Sequence, residues 1–407
     1  MKNFLILFLF ILGCKESNEA NFPQKIASID AVNIITKTKN IPIQIKIDLS
    51  KKINGDFDDY FKLKKIIYLD DKNPVGSIAT IRQHKDKIFV LDRENAQQLF
   101  CFDINGNFVW EFKGKGGGPL EYNRISDFII NDKKGTVDVL DKNRFKIINL
   151  DINTGIAKKE FKLGFYGREM VLYKNGMYLV HTENLAVNRE LSYKLLLVNE
   201  NQEVKSRNLS IGEFEKNKQL TGFRSIEKSN GLIYFTETLN DTIYTIKNDT
   251  LRNSYYVDFM DKKYPDELKF DFKLGKALKL KKDKPYISPI DQVREKNGFI
   301  SFTFSYKGSL YSVFFNKKDK RTYIFDKLKY DKSLGEDEQI FYRGFIDDGL
   351  VKIVNPYMFD QVRDLIKSNQ KFRNNLIVNK KQIYDVITRT NSSSNPILFI
   401  YEFKKID

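Results

Sequence analysis

The chain has 407 residues, 41% of them hydrophobic and 14% aromatic, enough apolar material for a large core and too much for a disordered chain. Its formal charge of +16 arises from 69 Lys and Arg against 53 Asp and Glu; the basic residues are spread along the chain and accompany no nucleic-acid-binding motif, so nucleic acid is not an expected partner. Two cysteines and two histidines exclude a disulfide framework and disfavour histidine-rich metal sites and histidine-assisted nucleophiles.

The chain opens with Lys2, nine consecutive apolar residues from Phe4 to Leu12, Gly13 and Cys14, the layout of a secretory signal ending at a small residue. Such a run is too short for a bilayer core that needs about 20 residues. The tetrad Ile11-Leu12-Gly13-Cys14 resembles the lipobox of bacterial lipoproteins, in which the cysteine becomes the mature N-terminus and carries the lipid; Ile11 in place of the usual leucine is a mild departure. An ordinary cleaved signal and a buried N-terminal helix are the plainer readings of the same run. Each buried lipid methylene contributes about 0.8 kcal/mol, so two or more acyl chains on Cys14 would hold a folded domain on a membrane. Lys15, where an aspartate is absent, resembles the outer-membrane sorting pattern. Residues 15 to about 40 read as a polar tether, and Ile43, Ile45, Ile47 and Leu49 alternate as an extra edge strand would.

Polar turns then recur at intervals of 48 residues: Phe102-Asp103-Ile104-Asn105-Gly106, Leu150-Asp151-Ile152-Asn153, Val198-Asn199-Glu200-Asn201 and Ile246-Lys247-Asn248-Asp249. Each separates two runs rich in β-branched and aromatic residues, such as QLFCF and NFVWEF, and another such pair lies upstream of each, such as IATIR and KIFVLD. Four short strands per unit, repeated every 40 to 50 residues, is the pattern of a β-propeller. Two less regular units follow, giving six four-stranded antiparallel blades in an all-β fold, with insertions at about 260–285 and 356–395. The second insertion carries Phe359, Val362, Leu365 and Ile366 at helical spacing. The last unit lacks a fourth strand and LKKIIYL, Leu63 to Leu69, precedes the first without belonging to it, so the N-terminal strand is expected to complete the last blade and close the ring. The domains are therefore a signal at 1–13, a lipidated tether at 14–60 and the propeller at 61–407. Cys101, in the run LFCF, reads as a core residue, and the basic stretch Lys273 to Tyr286 as a solvated helical insertion or a contact to anionic lipid or polysaccharide.

The stretch KGKGGGPLEY, residues 113 to 122, raises the question of phosphate binding. A Walker loop needs Gly-Lys followed by Ser or Thr, and a dinucleotide fingerprint needs a following helix. Here Pro119 stands where a third fingerprint glycine belongs and a strand-like run follows. The loop is expected to turn from the outer strand of one blade to the inner strand of the next, its glycines supplying positive φ, with weak anion binding by exposed amides the alternative.

The lipobox, IFVLD followed by LFCFDINGNFVWEF, GKGGGPLEY with ISDFII after it, and NSSSNPILFIYEF near the end together resemble the six-bladed β-propeller lipoproteins of Gram-negative bacteria, whose function is largely uncharacterised. The likeness spans roughly residues 61 to 407. Its most specific element is a G-x-G-P-x-E-Y string, matched by Gly116, Gly118, Pro119, Glu121 and Tyr122; the C-terminal helical insertion is less typical. The resemblance implies a ring and an anchor and supplies no reaction.

Where the inner strands begin, an aromatic and an arginine recur: Tyr122 with Arg124, Tyr166 with Arg168, Phe223 with Arg224, Tyr342 with Arg343. These starts gather at one mouth of a propeller channel. Aromatic faces suit sugar rings and guanidinium forks suit carboxylate, sulfate or phosphate, so an acidic oligosaccharide is the expected ligand class. Alternatively, the arginines pair between blades with acids such as Asp92, Asp141, Glu121 and Glu169 and cap loop carbonyls. Asp127, Asp291, Asn123 and Asp347 are the candidates for an axial cation of the kind held by lactonase-like propellers, but their places in the repeats are not equivalent. The expectation is a monomeric, lipid-anchored outer-membrane binding module, facing the periplasm or the outside, with no catalytic residue, cofactor or metal assigned. Its partner is an anionic carbohydrate or, alternatively, an envelope protein for which the domain is a scaffold.

Overall fold

The computed structural model describes residues 27–30, 33–213, 215–216, 222–266, 286–287, 289–328, 338–339 and 342–404. Cys14 and the Lys273 to Tyr286 stretch up to residue 285 lie outside them. Six small antiparallel sheets make six blades, and every inter-run turn named above sits between paired strands. Blade 1 is Ile78–His84, Lys87–Asp92, Gln98–Asp103 and Phe108–Glu111, and blade 2 runs from Ile125–Asn131 to Ala157–Lys162. Blade 3 starts with Glu169–Leu172, blade 4 with Ile226–Ser229, blade 5 with Asp291–Lys296 and blade 6 with Phe345–Ile346.

The recurring turns are built by one local device. Asp103 accepts the amides of Asn105 and Asn107 at 2.8 and 2.9 Å, Asp151 those of Asn153 and Thr154, and Asn199 those of Asn201 and Glu203. A short side-chain acceptor folding back on its own backbone fixes the turn and with it the strand register. The fourth turn uses a two-residue loop instead, with Asn248 and Asp249 both at positive φ, the conformation that matches strand twist. Gly106 is required on a second count: a Cβ there would lie 1.9 Å from the carbonyl oxygen of Tyr68 in the closing strand.

Closure occurs as the leftover strand predicts. Phe61–Tyr68 pairs antiparallel with Ile397–Phe403 and becomes the outer strand of blade 6. Asn395, from the NSSSNP string, fastens the chain just beyond it: its side chain accepts from Val75 N at 2.7 Å and donates to the carbonyls of Asp70 and Asn73. Apolar clusters fill the interface between every pair of neighbouring blades. Phe89, Trp110, Phe128 and Val139 join blades 1 and 2, and Ile67, Ile81, Phe102 and Ile400 join blade 6 back to blade 1. Cys101 is a free, buried member of the first of these, and burial pushes its thiol up to about 12, which makes it inert. The second insertion forms three helices, Asp360–Ser368, Gln370–Asn379 and Lys381–Arg389, whose Ile366, Leu376, Val386 and Ile387 pack on the cluster between blades 5 and 6.

The segment preceding the ring is ordered against its rim. Ser28–Ile29 runs parallel to the outer strand of blade 3, and Thr36–Lys37 and Ile43–Lys46 run parallel to the outer strand of blade 4. Ile35, Ile45 and Ile47 are buried there, so these three short strands form a belt over two blade edges: the alternation at Ile43 to Leu49 is an edge strand as expected, and the described residues from 33 to 40 lie against the rim rather than in a free tether.

Candidate functional site

The six inner strands surround an axis, and charged side chains cross it. Glu227 of blade 4 receives Arg82 from blade 1, on the opposite side of the ring, at 3.1 Å, together with Arg224 at 3.1 Å and Arg294 of blade 5 at 3.4 Å. Arg224 also meets Asp127 of blade 2 at 2.6 Å. These five groups form a buried plug that divides the channel. Glu227 is held well below the usual carboxylate range: burial opposes its charge, but Arg294, Arg82 and Arg224 more than offset it.

Above the plug, the starts of the inner strands are fixed by carboxylates that accept backbone amides of a neighbouring blade or of their own loops. Glu169 takes those of Ser225 and Ile226, Asp291 that of Phe223, Asp127 that of Met170, Asp92 those of Gly76 and Ser77, and Asp141 those of Asn123 and Arg124. Asp291 is fully enclosed; burial pushes its carboxyl up to about 7, with the nearby Glu169 adding to the rise. Gly222 is obligatory beside it, since a Cβ would fall within 2.1 Å of the Asp291 carboxylate.

The sequence-predicted residues divide into two groups. Tyr122 is buried and packs on Phe112, Tyr342 is buried with its hydroxyl 3.1 Å from Ser301, and Arg224 belongs to the plug, so none of the three presents a face to a ligand. Arg168 also caps the loop carbonyl of Gly222, the inter-blade role given above as the alternative, and Arg224 reaches the strand carbonyl of Met170 in blade 3. The others come together at the mouth. Phe223 is 45% exposed and the Arg343 guanidinium lies over its ring at 5.0 Å. Tyr166 donates to Glu183 at 2.9 Å, and Arg168 pairs with the same carboxylate. Arg124 pairs with Glu94 at 3.3 Å, while its Nε, like that of Arg168, is buried without a hydrogen-bond partner among the described residues.

Two further cations, Arg93 and Lys142, join this group and were not singled out in the sequence. Burial lowers the Lys142 ammonium, and Arg124, Arg168 and Arg93 all lower it further, with Glu183 in opposition. Burial likewise pushes Arg343 down to about 10, and Arg93 contributes. Among the described residues, five cations therefore share the mouth with Glu94, Glu183 and Glu169, the last 3.5 Å from Arg168 Nε. A signal for the missing pair was present: Val90-Leu91-Asp92-Arg93 and Val139-Leu140-Asp141-Lys142 occupy equivalent places in consecutive blades.

The glycine loop turns the corner from blade 1 to blade 2, but by other means than positive φ. Gly116, Gly117 and Gly118 have ordinary φ, and the left-handed residue is Leu120 at φ 58°. What the glycines supply is room. The Glu121 carboxylate folds back into the loop and accepts Gly118 N at 2.7 Å, and a Cβ on Gly116 would lie 2.1 Å from its oxygen. Pro119 carries no amide to donate. The loop thus houses its own carboxylate where a phosphate cradle would hold an anion, and Leu120 N is tied to Glu160 at 2.7 Å.

The residues considered for an axial cation do not converge. Asp127 faces Arg224, Asn123 accepts from Asn143 at 2.6 Å, and Asp347 accepts from Gln83 at 2.8 Å near the far end of the inner strands. Among the described residues, no three His, Cys, Asp or Glu side chains are grouped as a metal site would need. His84 reaches Asp132 on the far rim, while His181 is buried edge-on to Phe235 and held down to about 3 by burial.

No curated protein matches the sequence. Among solved structures, the chain is similar to a protein of Bacteroides fragilis described as exported, with a TM-score of 0.71 and 18% identity, over 90% of this chain and 100% of that one. It is also similar to a member of the DUF4221 family from Bacteroides vulgatus, with a TM-score of 0.52 and 10% identity, over 85% of this chain and 99% of that one. At these identities the likeness is one of fold. Residues 42–402 match the model of DUF4934, a domain of unknown function, and the chain belongs to that family.

Proposed function

We propose that the chain is a binding module of the cell envelope, held on the outer membrane through lipid on Cys14, whose strand-start mouth takes an acidic oligosaccharide. The observation that carries this reading is the gathering of Arg93, Arg124, Lys142, Arg168 and Arg343 around Phe223 and Tyr166. Like charges in contact raise one another's free energy, and a polyanion laid across the mouth relieves that repulsion while an exposed ring offers a sugar a stacking face. The likeness to a protein described as exported supports an envelope setting. The test is retention on immobilised alginate, a uronate polymer. The wild-type domain is expected to bind and to elute with salt, and the variant Arg124→Ala/Lys142→Ala/Arg343→Ala to pass through; equal retention of the two would end the proposal.

A second reading is favoured by the apolar surface of the helical insertion, where Tyr357, Met358, Leu365 and Val378 are exposed. In that reading the propeller is a scaffold and an envelope protein docks on the helices. Crosslinking from position 378 in intact cells would then trap a defined partner, and no reproducible product would dismiss it.

A further inference from the structure

Below the plug, where the inner strands end, the channel opens into a second cavity of about 320 Å³ that the mouth does not share. Its floor is Arg82, Glu227 and Arg294; Ile129, Val171, Leu172 and Phe345 give its walls an apolar side, and Gln83 and Lys228, the latter donating to the Leu172 carbonyl at 3.2 Å, a polar one. Three guanidiniums, Arg82, Arg224 and Arg294, meet two carboxylates, Asp127 and Glu227, in the plug, which leaves one positive charge in excess. A buried charge without a counter-charge is costly, so the arrangement favours an acceptor supplied from outside. The donors for it are present. Arg82 Nη2 is buried, 3.8 Å from Asp127 Oδ1, and has no hydrogen-bond partner among the described residues. Arg294 shares Glu227 with both other guanidiniums and is fixed by stacking over Phe345 at 4.4 Å.

From this geometry we infer that the cavity between the ends of the inner strands is a binding site for a small organic monocarboxylate with an apolar body. The carboxylate would take the excess charge of Arg82 and Arg294, and the body would lie against the aliphatic walls. At about 30 Å³ per water-sized group, the space admits roughly ten non-hydrogen atoms. A sugar acid would leave hydroxyls against Val171 and Leu172 without partners.

Phenylacetate and its uncharged isostere phenylacetamide are suitable probes, titrated calorimetrically into the intact purified protein at millimolar concentration. Phenylacetate is expected to bind in one-to-one ratio and the amide not to bind. Arg294→Gln should weaken phenylacetate at least about tenfold, the effect of losing one charge-assisted contact. Because that variant disturbs the plug, Leu172→Trp provides a second arm: it fills the cavity from the wall, leaves the ion pairs alone, and should abolish binding while thermal unfolding stays cooperative. Equal binding of acid and amide, no binding of the acid, or full affinity in Leu172→Trp would overturn the assignment. None of these outcomes bears on alginate retention at the opposite mouth.

Discussion

The two ends of the channel are built from the same residue types and do opposite things with them. At the plug, Arg82, Arg224 and Arg294 are spent on Asp127 and Glu227, and their geometry is fixed by blades on opposite sides of the ring. At the strand-start mouth, the half-buried Arg93, Arg124 and Lys142 crowd one another. Arginine near a propeller axis is therefore not by itself a sign of ligand binding. The discriminating feature is what holds the cations: the buried Asp127 and Glu227 fix all three guanidiniums of the plug and leave one positive charge over, whereas Arg93 and Arg124 share the exposed Glu94.

The sharpest way to break this comparison is to remove the shared carboxylate. Glu227→Ala leaves three buried guanidiniums with one acid, and urea unfolding should show a loss of about 3–5 kcal/mol. A loss below about 1 kcal/mol would mean that the plug is no more structural than the mouth.

Next in size is the effect of pH through Asp291. Its folded-state carboxyl is raised to about 7, above the unfolded value, so the folded state holds a proton that the unfolded state has released. Stability contributed by this residue is complete below about pH 4 and is lost as pH rises towards 7, at no more than about 1.4 kcal/mol per pH unit. His181, held down to about 3, acts in the opposite sense between that value and the ordinary histidine range, so the two should be separated by variant. Asp291→Asn should gain stability relative to the wild type as pH rises from 4 to 7 and then level off; a pH-independent difference would show that the carboxyl titrates normally.

Gly116→Ala should cost about 1–2 kcal/mol in the same unfolding assay, because its Cβ expels the Glu121 carboxylate from Gly118 N. An unchanged midpoint would show that the loop does not depend on that internal acceptor. The smallest effect is expected at the mouth: in Arg124→Ala/Lys142→Ala the lost packing of two half-buried side chains is offset by relief of their mutual repulsion, so stability should move by no more than about 1 kcal/mol while alginate retention is removed.

The ring was legible because its signals are local. Asx turns at Asp103, Asp151 and Asn199 mark the outer hairpins within a few residues, and the unpartnered run at Leu63 points to closure as soon as the last blade is found one strand short. The site was legible only in part because its pairings are not local. Nothing near Tyr122 or Tyr342 in sequence separates a core tyrosine from a mouth tyrosine, since the difference depends on Phe112 and Ser301. Arg82 and Glu227 are 145 residues apart and meet only when the ring is closed. In the belt, the edge strand at Ile43–Lys46 was legible from its alternation, but Ser28–Ile29 and Thr36–Lys37 were not, and parallel pairing with strands more than 170 residues away leaves no turn in the sequence to mark them.

The separation of the two ends is tested most directly by one crossed binding measurement. Alginate retention and phenylacetate affinity are determined for Arg124→Ala/Lys142→Ala and for Leu172→Trp. The first variant is predicted to lose alginate and keep phenylacetate, and the second to keep alginate and lose phenylacetate. Loss of both ligands in either folded variant, or of neither in both, would contradict a channel divided into two independent sites.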